Sequence, residues 1–431
     1  MKLYNRIVIF VLAILPITSY YCFWGTNITL NTIILIGLFF LNLLFTRRMS
    51  LNKTFFPMIF LSVWLLISTL LNSVLNGYNN YAINAFLLIV LMSLVLLTTD
   101  FSKIGGYVKV YEFICYLICG FLLVQFLFYY AFGIRVTGKL PGFQLLEEYR
   151  FLESTFGVNI GYTLASFSSV FSERSHFALY CMPLLCIYLF GLPGKKKKSF
   201  IKSVVLSALM MMTFSGNAII VVACLWALFI FLKLKNRSSK EKLSAIFLTA
   251  LAAVAFIVLM QNDSFYQTVN RLFFYNGDVS STDNTKAAYR IYRGFDFFRQ
   301  LPFINKLFGV GYRSLTEFAG IHSISSVFDV SGETSYEYLS AFFQTLIYGG
   351  VVCFGIYIFF IIKLFLNSKN TAAKAIIFSI VLLSISSSIL CDYTWLLYVS
   401  IAVFVSPYKE SVLKEVKRFI YEKNNDCFNQ I

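Results

Sequence analysis

Charge is scarce in this chain. Only 13% of its 431 residues are Asp, Glu, Lys or Arg, and 58% are hydrophobic; a soluble domain carries about a quarter charged residues. A water-soluble globule is therefore excluded. Histidine is scarcer still, with two residues, His176 and His322. Nine cysteines are present, yet there is no CxxC and no Cys/His cluster at zinc-like spacing. Cys115, Cys119, Cys181, Cys186, Cys224 and Cys353 lie inside apolar runs, where Cys acts as a small hydrophobe. Neither a metal site, a cofactor nor a disulfide framework is expected. Acidic residues number 20 against 36 basic ones, for a net charge of +16. In a soluble protein that balance would suggest nucleic acid. In a chain this apolar, Lys and Arg instead mark cytoplasmic loops, and no nucleic-acid partner is expected. Internal repeats and low-complexity linkers are absent. So are ionisable groups in the middle of apolar runs: Glu112 and Asp392 lie near the ends of theirs. Transporters place such groups at mid-depth, so their lack weighs against transport.

Apolar runs are what the chain has in abundance. They cover about 7–23, 28–46, 55–75, 82–98, 109–133, 176–193, 200–215, 217–232, 243–260, 338–362, 374–390 and 392–406, each near the length of a membrane helix. The expected fold is an all-α polytopic membrane protein with about twelve transmembrane helices. Lys2 and Arg6 precede the first run, and no small-x-small cleavage site follows it, so it reads as a span rather than a signal peptide. The resulting division is 1–133 with five helices, a long loop 134–175, 176–261 with helices six to nine, a long loop 262–337, 338–408 with the last three helices, and a basic tail 409–431.

Charge orients this arrangement. With a cytoplasmic N-terminus, every inward segment is basic, and together they hold 25 of the 36 Lys and Arg residues, as the positive-inside rule requires. The eleven outward basic residues are of a different kind: eight are Arg, against five of the 25 inward. Retention in the cytosol needs only charge. Guanidinium adds a planar fork that fits phosphate and carboxylate oxygens. The alternative is that these arginines anchor lipid headgroups or pair with loop carboxylates. Both long loops fall on the outward side, and loops of that size are usually functional.

Within the second loop, residues 286–300 read as an amphipathic helix with Ala287, Ala288, Ile291, Phe295 and Phe298 on one side. Lys286, Arg290 and Arg293 lie at i, i+4 and i+7 on another face, repelling each other by a few tenths of a kcal/mol per pair. A polyanionic ligand would remove that penalty; anionic lipid under an interfacial helix would too. Leu301-Pro302 ends the helix. Gly309-Val310-Gly311 follows, either a tight turn or a turn whose free amides help hold phosphate, with Arg313 beside it. In the first loop, Ser172-Glu173-Arg174-Ser175-His176 sets polar residues where a helix begins. Glu173 there is a partner for Arg174 or a helix cap. His176 and His322 are each either structural or catalytic. Glu333 and Glu337 precede the tenth run, placed for the helix dipole or as a general base on a sugar hydroxyl. Tyr275, Tyr289, Tyr292 and Tyr312 suit either sugar stacking or an interfacial aromatic belt.

The order Arg290, Arg293, Pro302, Gly309-Val310-Gly311, Ser335-Tyr336-Glu337-Tyr338-Leu339 and a span with Gly349-Gly350 resembles the O-antigen polymerase and ligase superfamily, over about residues 170–365. Phe214-Ser215-Gly216 resembles that family's turn between two closely linked spans. Phe171–Ala178 resembles the stretch F-x-E-x-S-x-F-A of its Wzy-type polymerases. The resemblance implies a lipid-carrier-type (GT-C-like) glycosyltransferase with two long outward loops in a bacterial inner membrane, both termini being cytoplasmic. Donor and acceptor would be oligosaccharides on undecaprenyl pyrophosphate, with neither metal nor nucleotide sugar, and a chain-length regulator and a flippase as partners. Arg290, Arg174, Glu337 and His322 would be catalytic, with Arg293, Lys286, Glu173, His176, Arg313 and Tyr336 binding substrate. The ligases carry a His-Asn pair where this chain reads Ser335-Tyr336-Glu337, which favours a polymerase. His322 keeps a ligase as the alternative, and a flippase for lipid-linked sugar is the third.

Overall fold

The computed structural model describes residues 2–23, 28–45, 53–77, 83–99, 106–160, 165–192, 199–235, 261, 287–326, 339–390 and 392–406. In chain order its helices are α1 (Lys2–Thr18), α2 (Leu30–Phe45), α3 (Phe56–Asn76), α4 (Ile83–Thr98), α5 (Tyr107–Phe132), α6 (Arg174–Phe190), α7 (Phe200–Met211) and α8 (Gly216–Lys235), then α9 (Ala287–Gln300), α10 (Phe303–Phe308), α11 (Leu315–His322), α12 (Ala341–Asn367), α13 (Thr371–Ser386) and α14 (Tyr393–Val405). The protein is a mostly helical, multi-pass membrane protein. Every expected apolar run but one carries a helix; the run 243–260 lies outside the described residues.

Helix length does not carry a count of twelve spans. Among the described residues α3, α5, α8 and α12 are long and apolar enough to cross a membrane, and seven further apolar helices are shorter. The 12 residues of α7 rise about 18 Å against a hydrocarbon core of about 30 Å. Small strands also appear, which the expected all-α fold did not include. Tyr21–Cys22 (β1) pairs antiparallel with Gln144–Leu145 (β2), and Val158–Ile160 (β3) with Ala165–Phe167 (β4), so the first long loop has structure of its own.

Helices α6 and α14 are buried almost all round and form the centre. Polar side chains join the neighbours, as expected where lipid removes any hydrophobic drive between helices. The hydroxyl of Tyr4 donates to Asn42 Oδ1 at 2.6 Å, while Asn42 Nδ2 donates to Thr98 and Thr99 at 3.1 and 2.9 Å. Glu112 Oε1 accepts from Tyr116, Tyr188 and Lys202 at 2.7, 2.6 and 2.9 Å, so this intramembrane carboxylate ties α5 to α6 and α7.

One helix is broken. Gly350 inside α12 has φ +71° and ψ −172°, and the carbonyls before it lose their helical donors. Val310 N–H donates to Ile347 O at 2.8 Å, and Gly311 N–H to Tyr348 O at 3.0 Å. From α3, Ser68 Oγ donates to Tyr348 O at 2.9 Å and Trp64 Nε1 to Gly349 O at 2.7 Å. Asn72 and Asn305 both donate to Gly309 O at 3.1 Å, and Thr69 Oγ1 accepts from Tyr312 N at 2.9 Å. Residues 309–312 are thus a backbone wedge between α3 and the broken α12. It reaches below the C-terminal end of α3, since Thr69 lies seven residues before Asn76.

Glycine is required in the wedge. A β-carbon at Gly309, where φ is +83°, would stand 2.2 Å from Tyr348 O. Gly309→Ala should lower the thermal midpoint in detergent by several degrees, since overpacking alone costs about 1–3 kcal/mol. Gly320, with nothing within 4 Å of a built β-carbon, provides the control: Gly320→Ala should leave the midpoint unchanged or slightly raised.

Candidate active site

Those expected site residues that are described come from both loops and lie at one end of the bundle, where α1, α3, α5 and α13 finish and α6, α12 and α14 begin. Arginine is placed there by α9. Arg293 is 0% exposed, Gly294 and Phe297 are buried with it, and Arg290 is half-buried. Phe295, on the apolar side of the helix, is 57% exposed, and Tyr292 is exposed too. The buried side therefore runs Arg290, Arg293, Gly294, Phe297 and Leu301. The physical reason is the solvent. A soluble helix hides its apolar stripe, whereas in a membrane bundle charged groups turn inward and apolar rings face lipid. Helix α9 packs on α12 and α13 so closely that a β-carbon at Gly294 would meet the Phe343 ring at 2.3 Å. Lys286 lies outside the described residues.

The Gly-x-Gly turn is structural. Its Val310 and Gly311 amides are taken by Ile347 and Tyr348 carbonyls and so do not hold phosphate. What the turn does is anchor α9 through Pro302 and α10. Just past it, Arg313 is exposed, has φ +52° and lays its guanidinium 5.9 Å from the Tyr312 ring. Tyr312 itself is buried edge-on to Tyr348 at 5.4 Å, which leaves its ring no sugar-stacking face. His322 ends α11 exposed, with Nε2 3.3 Å from Asn76 Oδ1 and its ring on Phe318. The 315–326 segment is tied to α9 by Ser326 Oγ donating to Asp296 Oδ2 at 3.0 Å and Gln300 Nε2 to Ser325 O at 2.7 Å.

From the first loop, Arg174 opens α6 half-buried, and Glu173 stands at its N-cap. The expected capping bond is not made; the Glu173 carboxylate accepts from Ser175 Oγ at 3.2 Å instead. His176 Nδ1 lies 2.6 Å from the Tyr20 hydroxyl. Asp392 caps α14 by accepting from Tyr393 N at 2.6 Å and is within electrostatic reach of Tyr20, as is Glu173. Helices α6 and α9, which carry Arg174 and Arg290/Arg293, share α13 as a neighbour. The C-terminal end of α13 is itself a junction: Ser387 O accepts from Ala341 N at 2.9 Å and Ser387 Oγ from Asn217 Nδ2 at 2.8 Å. This brings the Phe214-Ser215-Gly216 turn to the same end. Tyr336, Glu337, Glu333 and Tyr275 lie outside the described residues, as does the Tyr289 side chain.

The first loop is held down by a residue that sequence reasoning passed over. Gln125 of α5 donates to Val136 O at 2.9 Å and Ser169 O at 3.3 Å, and accepts from Ser169 N at 2.9 Å. A lone Gln in an apolar run was the available signal. Beyond it, the Lys139 ammonium pairs with Glu153 and holds that carboxyl below the usual range.

Residues 201–358 match the O-antigen ligase family. The match supports the O-antigen polymerase and ligase superfamily. The matched segment contains the Phe214–Gly216 turn, Arg290 and Arg293 of α9, the glycine wedge and the break in α12, whereas Arg174, His176 and Tyr20 lie before it. The match supports an enzyme. No curated protein matches the chain.

Gln125→Leu should release the loop without unfolding the bundle. It leaves up to three buried backbone groups without partners, at about 1–3 kcal/mol each. Limited proteolysis should then cut within 134–172 while fragments spanning the later helices stay intact.

Proposed function

We propose that the protein polymerises O-antigen, or related surface polysaccharide, repeat units. A hydroxyl of one lipid-linked repeat unit attacks the anomeric carbon of the glycan on a second carrier. The C–O bond to undecaprenyl pyrophosphate breaks, and the carrier diphosphate leaves with the bonding electron pair. The loop end faces outward, to the periplasm, in the inner membrane, with both termini in the cytoplasm and about twelve spans in all. The 134–175 and 262–337 loops cover the site. A chain-length regulator and a flippase are the expected partners.

The observation that carries this reading is the buried guanidinium of Arg293 beside half-buried Arg290, on the bundle side of α9 and within the matched segment. A fixed charge aimed at a departing diphosphate is worth about 3 kcal/mol per donor in transfer reactions, and guanidinium has no proton to lose at working pH. Arg174 adds a third cation from α6. Arg313, Lys286 and Tyr336 are placed on the substrate path. Glu337 is the proposed base, and the transfer is proposed to need no metal.

The polymerase is favoured over the ligase by Ser335-Tyr336-Glu337, which stands where the ligases carry His-Asn. His322, exposed on Asn76, is the residue a ligase reading would use. Deleting the gene separates the possibilities. A polymerase leaves one repeat unit on the lipid core, a ligase leaves bare core with polymer held on its carrier, and a flippase traps unmodified units inside. Arg290→Lys, returned to the deletion strain, should be made and inserted normally yet give at most about a hundredth of the polymer. A normal polysaccharide ladder from that variant would remove the diphosphate clamp.

A further inference from the structure

The contact between Tyr20 and His176 plays no part in holding a diphosphate. Tyr20 lies just past α1 and is 4% exposed. Its ring is fixed edge-on against Tyr149 at 5.3 Å and Phe156 at 5.5 Å, and it is tilted against the imidazole at 5.8 Å. A ring packed this way cannot swing its hydroxyl, so the 2.6 Å approach to His176 Nδ1 is a permanent feature of the loop end. His176, in the first turn of α6, is half-buried, and among the described residues its Nε2 takes no hydrogen bond.

The direction of the bond follows from hydrogen-bond accounting. A buried hydroxyl must place its proton on an acceptor; Nδ1 of His176 stands 2.6 Å from the phenol, while the Ser172 side chain interacts with it as a donor to the phenol oxygen. With Nδ1 accepting, a neutral imidazole carries its proton on Nε2. That edge of the ring points away from Tyr20 and becomes a neutral N–H donor at the loop end of the bundle.

We propose that Tyr20 is a positioning residue that holds His176 as the Nε2–H tautomer, and that this N–H donates a hydrogen bond to a sugar oxygen of the lipid-linked glycan. An uncharged donor suits a hydroxyl or amide oxygen, leaving the diphosphate to guanidinium. The ligand rests on the polymerase reading; the tautomer does not.

The chain has two histidines, so 15N-histidine labelling of the full protein in detergent gives two imidazole spectra, which His322→Gln assigns. At pH 8 His176 should show an unprotonated Nδ1 and a protonated Nε2, and Tyr20→Phe, which keeps the ring, should turn it into a mixture. Protonated Nδ1 in the unsubstituted protein, or an unchanged spectrum in Tyr20→Phe, would overturn the proposal. Adding an undecaprenyl-pyrophosphate-linked repeat unit should shift the Nε2 signal, and undecaprenyl pyrophosphate alone should not. An equal shift with the bare carrier would put Nε2 on the diphosphate and overturn the sugar contact. In cells Tyr20→Phe should lower polymer about tenfold, the loss of one hydrogen bond, and Tyr20→Phe/His176→Gln should lose no more than His176→Gln alone. Full polymer in Tyr20→Phe would end the positioning role while leaving the polymerase reading in place. If the polymerase reading itself fails, the deletion phenotype records it and the tautomer result is unaffected.

Discussion

A helix that breaks inside a membrane bundle must find donors for the carbonyls it releases, because lipid offers none. Helix α12 breaks at Gly350, and the wedge 309–312 with Trp64 and Ser68 of α3 supplies those donors. The rest of the loop end depends on this exchange. The wedge fixes α10, α10 fixes Pro302, and Pro302 fixes the end of α9 that presents Arg290 and Arg293. Tyr348 O has two such donors, whereas removing the Trp64 indole takes from Gly349 O its donor from α3, at about 1–3 kcal/mol. The arginines are therefore positioned by backbone bonds in residues 309–312, well downstream of them.

That arrangement explains how a charge comes to be buried in so apolar a chain. An isolated guanidinium in a low-dielectric interior is costly unless other charges or hydrogen bonds surround it. Arg293 is held there because α9 packs flush on α12 and α13, with Gly294 admitting the Phe343 ring. The exposed side of α9 and α10 carries Tyr292, Phe295, Phe303, Ile304 and Phe308, rings and branches suited to the membrane interface. A diphosphate on a polyprenyl chain has the same two parts, an anion for the inner face and hydrocarbon for the outer.

The sequence made some of this legible. The apolar runs located the helices, since hydrophobic length is a one-dimensional property. Pro302 marked the end of α9, and Phe214–Gly216 marked the turn between α7 and α8. Which face of α9 is buried was not legible, because apolar periodicity identifies a stripe without saying whether core or lipid covers it. The two readings of the Gly309–Gly311 turn stayed open, because free amides and amides bonded to a distant helix look alike in sequence. Gln125 and Tyr20 were passed over because their partners are up to 156 positions away. Short strands of two or three residues, such as β1 and β2, carry too little pattern to be read at all.

Direct binding tests the clamp without relying on turnover. Purified protein in nanodiscs should bind undecaprenyl pyrophosphate at least about tenfold more tightly than undecaprenol, with the preference falling as salt rises. Arg293→Met, which keeps the volume and removes the charge, should erase most of that preference while leaving undecaprenol binding unchanged. If Arg293→Met retained the full preference for the diphosphate, the buried guanidinium would not be its receptor and the account would be contradicted.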